Sequence, residues 1–215
     1  MINFGNISVR IRTKICGITC LEDALQAIQA GADALGFVFY EPSPRYITPE
    51  DATNICKQLP PFVCKVGLFV NAEYQYIKNI CDIVSIDLLQ FHGDEKEVDC
   101  ILYSLPYIKA IRVRCNEDVS AAESQFSSAL AILADAYKKD VPGGTGERFD
   151  WSLLPQDRTK PLILAGGLNE QNIYHAIKTV HPYAVDVSGG VEKAKGKKNH
   201  RTVTQFLNEV SRASE

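Results

Sequence analysis

The stretches Leu164-Ala-Gly-Gly-Leu168 and Val185-Asp-Val-Ser-Gly-Gly-Val-Glu192 decide how this chain is read. Each runs from apolar residues straight into paired glycines. Glycine at such a turn lets backbone amides approach an anion with no side chain in the way. Gly143-Gly-Thr-Gly146 repeats the device, and Lys14-Ile-Cys-Gly-Ile-Thr19 carries a related turn near the start. Three of the four turns fall in the last third of the chain. Together they describe a phosphate cradle, with reactive groups, Cys16 and Asp135, supplied from elsewhere.

Working outward, apolar β-branched runs begin near Arg12, Ala34, Cys64, Ile86, Ile108, Ala131, Leu162 and Ala184, roughly 22 to 31 residues apart. Parallel strands need a crossover of about a dozen residues or more, and each gap supplies one. Eight such units in 215 residues predict a compact single-domain α/β protein, a (β/α)8 barrel, over residues 12–215, with 1–11 as an N-terminal extension. An open doubly wound sheet would explain the alternation, but not why glycine turns follow the last three strands.

The helix signals agree. Thr19 with Glu22 reads as a capping box for a helix over Glu22–Ala30, with Gly31 beyond its end. Thr48-Pro49 opens a second helix. Ala72–Cys81, Glu95–Leu105 and Glu117–Ala129 follow, the last with the weakest pattern. Asn169 caps Glu170–Val180, and Asn199–Arg212 closes the chain.

Composition excludes several classes. The net charge of -3 gives no electrostatic footprint for nucleic acid. The basic run Lys193 to Lys198 reads as a solvated loop. Residues 1–10 are too polar for a secretory leader, and no apolar stretch approaches the ~20 residues that cross a membrane. Seven cysteines spread through core elements fit free thiols in a cytoplasmic protein. Cys16-x-x-x-Cys20 has no partner pair at zinc-finger spacing, so no metal site is expected.

In such a barrel the working face is the C-terminal end of the strands, and phosphate is held after strands 7 and 8. Gly166, Gly167, Ser188, Gly189 and Gly190 fall there, with Gly144 closing a third side. Arg12, Lys14 and Cys16 share one face of strand 1. Lys14 is expected to lower the Cys16 thiol pKa. Asp135 ends strand 6 as a carboxylate closing an apolar run. Asp186 stands similarly on strand 8, and Gln90 and His92 end strand 4, together giving the barrel a polar mouth. Two prolines stiffen Pro42-Ser-Pro-Arg-Tyr46, so that Arg45 can offer its fork to a carboxylate.

The residues resemble one family over nearly the whole chain, the phosphoribosylanthranilate isomerases of tryptophan biosynthesis. The likeness rests on Lys14-Ile-Cys-Gly-Ile-Thr19, Gly36-Phe-Val-Phe39, Ser43-Pro-Arg-Tyr-Ile47, Val66-Gly-Leu-Phe-Val-Asn71, Leu89-Gln-Phe-His-Gly-Asp94, Gly143-Gly-Thr-Gly-Glu-Arg-Phe-Asp-Trp151 and the two quoted stretches, in that order. The resemblance implies an Amadori rearrangement of N-(5-phosphoribosyl)anthranilate with no metal and no organic cofactor. It implies Cys16 as base, Asp135 as acid and Arg45 on the anthranilate carboxylate. The phosphate falls to the amides at Gly144, Gly166, Gly167 and Ser188 to Gly190. His92 and Asp186 are expected to face substrate.

The family's usual second serine is Gly189 here, which keeps the amide but loses a hydroxyl. The segment from Val113 to Ala129 matches poorly. The partner expected is a phosphorylated small molecule, with monomer and homodimer both open. Two other readings are another sugar-phosphate barrel enzyme and a barrel that binds a phosphorylated ligand without turnover.

Overall fold

The computed structural model describes residues 10–135, 151 and 154–215. Eight parallel strands close a barrel in sequence order: β1 (Arg12–Cys16), β2 (Ala34–Val38), β3 (Cys64–Phe69), β4 (Leu88–Phe91), β5 (Tyr107–Arg112), β6 (Ala131–Asp135), β7 (Leu162–Ala165) and β8 (Ala184–Val187). The last strand pairs with the first, Lys14 opposite Asp186. Closure excludes the open sheet and leaves no bare edge. Six of the eight strands begin at the residue the sequence indicates; β4 and β5 are displaced by one or two positions.

Seven α-helices lie among the described residues: α1 (Leu21–Gln29), α2 (Pro49–Cys56), α3 (Tyr74–Ile83), α4 (Glu97–Cys100), α5 (Glu117–Gln125), α6 (Ile173–Val180) and α7 (His200–Ser214). Thr48 caps α2 as expected, its hydroxyl accepting the Asp51 N–H at 3.1 Å. Asn199 caps α7 by accepting from Thr202 N–H. Two expected caps differ. The Thr19 hydroxyl donates to the Gly196 carbonyl instead of capping α1, whose N-cap is Cys20. Asn169 does accept the Gln171 and Asn172 N–H groups, but this holds a turn, and the helix begins later, at Ile173. The fourth helix is also far shorter than expected.

The main core lies between barrel and helices. Within the barrel a second apolar cluster of Ile108, Ala110, Ala131, Leu133, Ile163 and Ala184 rises to Ala165 at the C-terminal end of β7. The small cluster Cys16, Val38 and Leu68 also reaches the C-terminal mouth. Between them the interior is polar, with Lys14, Gln90 and Asp186 all buried. After β8 comes a single 3-10 turn, Gly189–Val191, then a small antiparallel hairpin of β9 (Glu192–Ala194) and β10 (Lys197–Lys198). No helix among the described residues is long and apolar enough to cross a membrane.

Candidate active site

A cavity of about 700 Å³ opens at the C-terminal ends of the strands. Ten of the site residues expected from sequence line it: Cys16, Arg45, His92, Asp135, Gly166, Gly167, Asp186, Ser188, Gly189 and Gly190. The eleventh, Gly144, lies outside the described residues, as does the Gly143 to Gly146 turn. Sequence separations of more than 170 residues are thus brought to one mouth by the closure of β8 on β1.

Cys16 ends β1 pointing inward, 5 % exposed. Gly36 on β2 makes its room: a Cβ there would stand 2.7 Å from Cys16 Sγ and 3.0 Å from Lys14 Cε. Lys14 Nζ donates to Asp186 Oδ1 at 2.8 Å, a buried ion pair across the β1–β8 seam. Burial penalises the ammonium, but Asp186 and Cys16 outweigh that and hold Lys14 above its ordinary pKa. The expected tuning of Cys16 by Lys14 is real but outweighed. Burial pushes the thiol up; Lys14 pulls it down, Asp186 adds to the rise, and the result lies above the ordinary thiol value. Asp186, expected at the substrate, also has a structural task, because it neutralises Lys14.

Asp135 ends β6, three strands from β1 around the barrel by way of β7 and β8. A quarter of its side chain is open to solvent. His92 Nε2 lies 3.4 Å from Asp135 Oδ2. The Gln90 amide nitrogen lies 3.0 Å from His92 Nδ1. An N–H donating there leaves the proton of the neutral ring on Nε2, facing Asp135. Gln90 is fully buried, and its Oε1 has no partner among the described residues.

The opposite end of the cavity is backbone. Gly166 (φ 83°) and Gly167 (φ 65°) take the left-handed conformation that turns β7 sharply away from the barrel. At Gly190 a Cβ would sit 1.9 Å from the Leu168 carbonyl oxygen, so the β7 and β8 turns touch there through bare backbone. Ser188 Oγ donates to the Cys16 carbonyl at 3.0 Å, tying the β8 turn to β1. Gly189 leaves space for Arg45, whose Nη2 would be 3.1 Å from a Cβ.

Arg45 differs most from expectation. Its Nε and Nη2 donate side-on to both oxygens of Glu192, each at 2.8 Å. Part of the fork is therefore engaged by this chain's own carboxylate. Glu192 is shared with Lys198, whose Nζ donates to Oε1 at 2.9 Å. Burial raises the Glu192 carboxyl, but the Arg45 and Lys198 bonds outweigh it and hold the pKa below its ordinary value. Lys198 itself is completely buried, which corrects its reading as part of a solvated run; Lys193, Lys195 and Lys197 are exposed. Glu192 was visible only as the last residue of a motif, and no local pattern distinguishes Lys198 from its neighbours. Among the described residues, no group of three or more His, Cys, Asp or Glu side chains is placed to hold a metal ion.

Comparison with known proteins gives a consistent result. The sequence profile described as N-(5'phosphoribosyl)anthranilate (PRA) isomerase matches residues 13–209. A protein of that name from Pseudomonas fluorescens strain Pf0-1 is 56 % identical over 200 residues, covering 93 % of this chain and 98 % of its own length. A solved phosphoribosyl anthranilate isomerase in complex with reduced 1-(o-carboxyphenylamino)-1-deoxyribulose 5-phosphate superposes with a TM-score of 0.83 at 44 % identity, covering 93 % of this chain and 98 % of that one. Monomers generated from the dimeric isomerase of Thermotoga maritima superpose with a TM-score of 0.81 at 41 % identity and the same coverage.

Proposed function

The chain belongs to the N-(5′-phosphoribosyl)anthranilate isomerase family, and from that premise we propose how its cavity carries out the family's reaction. The enzyme is an isomerase of tryptophan biosynthesis. It converts N-(5-phosphoribosyl)anthranilate to 1-(2-carboxyphenylamino)-1-deoxyribulose 5-phosphate. The observation that carries the site reading is that Cys16, Asp135 and both paired-glycine turns line one cavity.

The phosphate rests on the amides at Gly166, Gly167 and Ser188 to Gly190, with Gly144 as a further donor. The anthranilate carboxylate meets the outer edge of Arg45, whose inner edge Glu192 holds in place. The two anchored ends fix the ribose between Cys16 and Asp135, which supplies orientation. Protonated Asp135 gives its proton to the furanose ring oxygen. The C1–O bond breaks, and the anilino nitrogen lone pair forms a C1=N iminium. The Cys16 thiolate then removes the C2 proton. The C2–H electron pair becomes C1=C2, and the iminium electrons return to nitrogen. Tautomerisation of this enol gives the C2 ketone, with no net oxidation. The iminium charge beside Cys16 favours the thiolate at the moment it is needed, against the burial that otherwise holds the proton on. His92 faces Asp135 and orients its carboxyl.

The test is to incubate the purified chain with freshly made N-(5-phosphoribosyl)anthranilate and follow loss of its fluorescence. Rapid loss above the spontaneous rate, with the ketose phosphate as product, is expected; no acceleration would contradict the assignment.

Residues 12–215 form the catalytic domain, with 1–11 as its extension. All seven cysteines are unbridged, which supports a reducing cytoplasm as the working compartment. Of the two states that the sequence leaves open, monomer and homodimer, we propose the homodimer, paired through the N-terminal face of the barrel. Phe62 stands fully exposed there with φ 69°, a left-handed conformation that is costly for a bulky residue. It borders a hollow of about 560 Å³ lined by Val66, Leu88, Ile108 and Ile163. A second copy offers the same aromatic and the same hollow, as a two-fold interface requires.

A further inference from the structure

Lys198 is a completely buried charge that the reaction described above does not use. An ammonium has three donors, and here each finds an acceptor. Nζ donates to the Cys16 carbonyl at 2.6 Å, to the Ser188 carbonyl at 3.2 Å and to Glu192 Oε1 at 2.9 Å. Those acceptors belong to the turn that carries the thiol, the turn that carries the phosphate amides, and the carboxylate that braces Arg45. The backbone is fixed as well: Lys198 N–H donates to Asp23 Oδ2 on α1 at 2.9 Å. A buried cation used only as filler is a poor choice, because an apolar side chain of similar volume avoids the desolvation cost.

We propose that Lys198 is a positioning residue for the isomerisation: its ammonium locks the Cys16 turn to the Ser188–Gly190 turn, so that a phosphate seated on one turn sets the place of the thiol on the other. Substrate binding at one end of the cavity is thereby converted into alignment of the base at its centre. The Ser188 hydroxyl makes a second, weaker tie between the same turns, so loss of Lys198 loosens the register without abolishing it. Cys16 is faced by Lys14 and Asp186 from inside the barrel and by Lys198 and Arg45 from above. Removing Lys198 therefore also removes one of the charges that favour the thiolate.

The proposal rests on the isomerase reading of the cavity, and its test separates the two. Wild type and Lys198→Met are compared for kcat and KM on N-(5-phosphoribosyl)anthranilate. The rate at which iodoacetamide alkylates Cys16 in the folded proteins at pH 8 is read in parallel by mass spectrometry of the Cys16 peptide. The expected result is a kcat lower by roughly 10- to 100-fold, a raised KM and slower alkylation. A Met variant that melts earlier, yet keeps kcat within about twofold or alkylates Cys16 at the wild-type rate, would show a merely structural lysine and overturn the proposal. Should the Met variant fail to fold, Lys198→Arg decides. It keeps the charge, but its planar fork cannot meet the same three acceptors, so kcat and alkylation both fall; wild-type values of either overturn the proposal. Wild-type protein without turnover would instead sink the isomerase reading, and the alkylation arm, which needs no substrate, would still decide the role of Lys198.

Discussion

Lys14 and Asp186 illustrate what a single pair does in this barrel. Both are buried, and each makes the other tolerable there. Removing one partner leaves an uncompensated charge, which costs about 3–5 kcal/mol, far more than the pair contributes against an apolar replacement. Lys14→Met should therefore destabilise the chain by about that amount, read by urea unfolding, and Lys14→Met with Asp186→Leu should recover most of it. A single variant as stable as wild type would show that Asp186 is reached by solvent or another cation. Asp135, His92 and Asp186 are legible in sequence as polar groups in or just after otherwise apolar strands, and Cys16 by its place at a strand end before a glycine turn. Glu192 and Lys198 are not. Their partners lie across the fold, and nothing in a run of lysines says which one turns inward.

Element boundaries are legible in sequence where one signal dominates, and obscure where two groups compete for a residue. Thr48 with Pro49 has no competitor and caps α2. Thr19 does have one: its hydroxyl goes to Gly196, in the hairpin after β8, and so braces the active-site loops instead of α1. Glu95 was expected to begin a helix. It instead accepts from the Asn71, Gly93 and Lys109 donors around it, and α4 shrinks to Glu97–Cys100. The paired-glycine turns were legible as turns, but their mutual contact was not. At Gly190 that contact leaves no space for a methyl group against the Leu168 carbonyl. Gly190→Ala should push the two turns apart. The expected outcome is a KM raised about 10-fold or more, by loss of at least one charge-assisted bond to phosphate, with a smaller change in kcat. An unchanged KM would remove this turn from the phosphate site.

For the whole molecule, the buried thiols set a limit at high pH. Burial pushes Cys56 up to about 11 and Cys100 up to about 12, whereas an unfolded thiol titrates near 8.5. The folded state thus holds protons that the unfolded chain gives up. Their contribution to stability is complete below the unfolded value and is lost as pH rises toward the folded values. Cys16 acts in the same direction. The urea midpoint should fall steadily above about pH 8.5, and less steeply in Cys56→Ala with Cys100→Ala; an alkaline branch that the double variant leaves unaltered would contradict this. At the same scale, Phe62→Glu should give a monomer by sedimentation equilibrium with isomerase activity retained, since Phe62 lies at the barrel end remote from the cavity. An unchanged sedimentation profile would move any self-association elsewhere.

The proposed isomerisation needs two side chains, drawn from strands three apart, to act from different sides of one substrate. The most direct measurement is the steady-state kinetics of Cys16→Ala and Asp135→Asn beside wild type, each confirmed to be folded. The prediction is a kcat lowered by at least ~10²-fold in each variant, with KM changed by less than about threefold because phosphate and carboxylate anchors remain. A near-normal kcat in either variant would contradict the acid–base assignment for that residue.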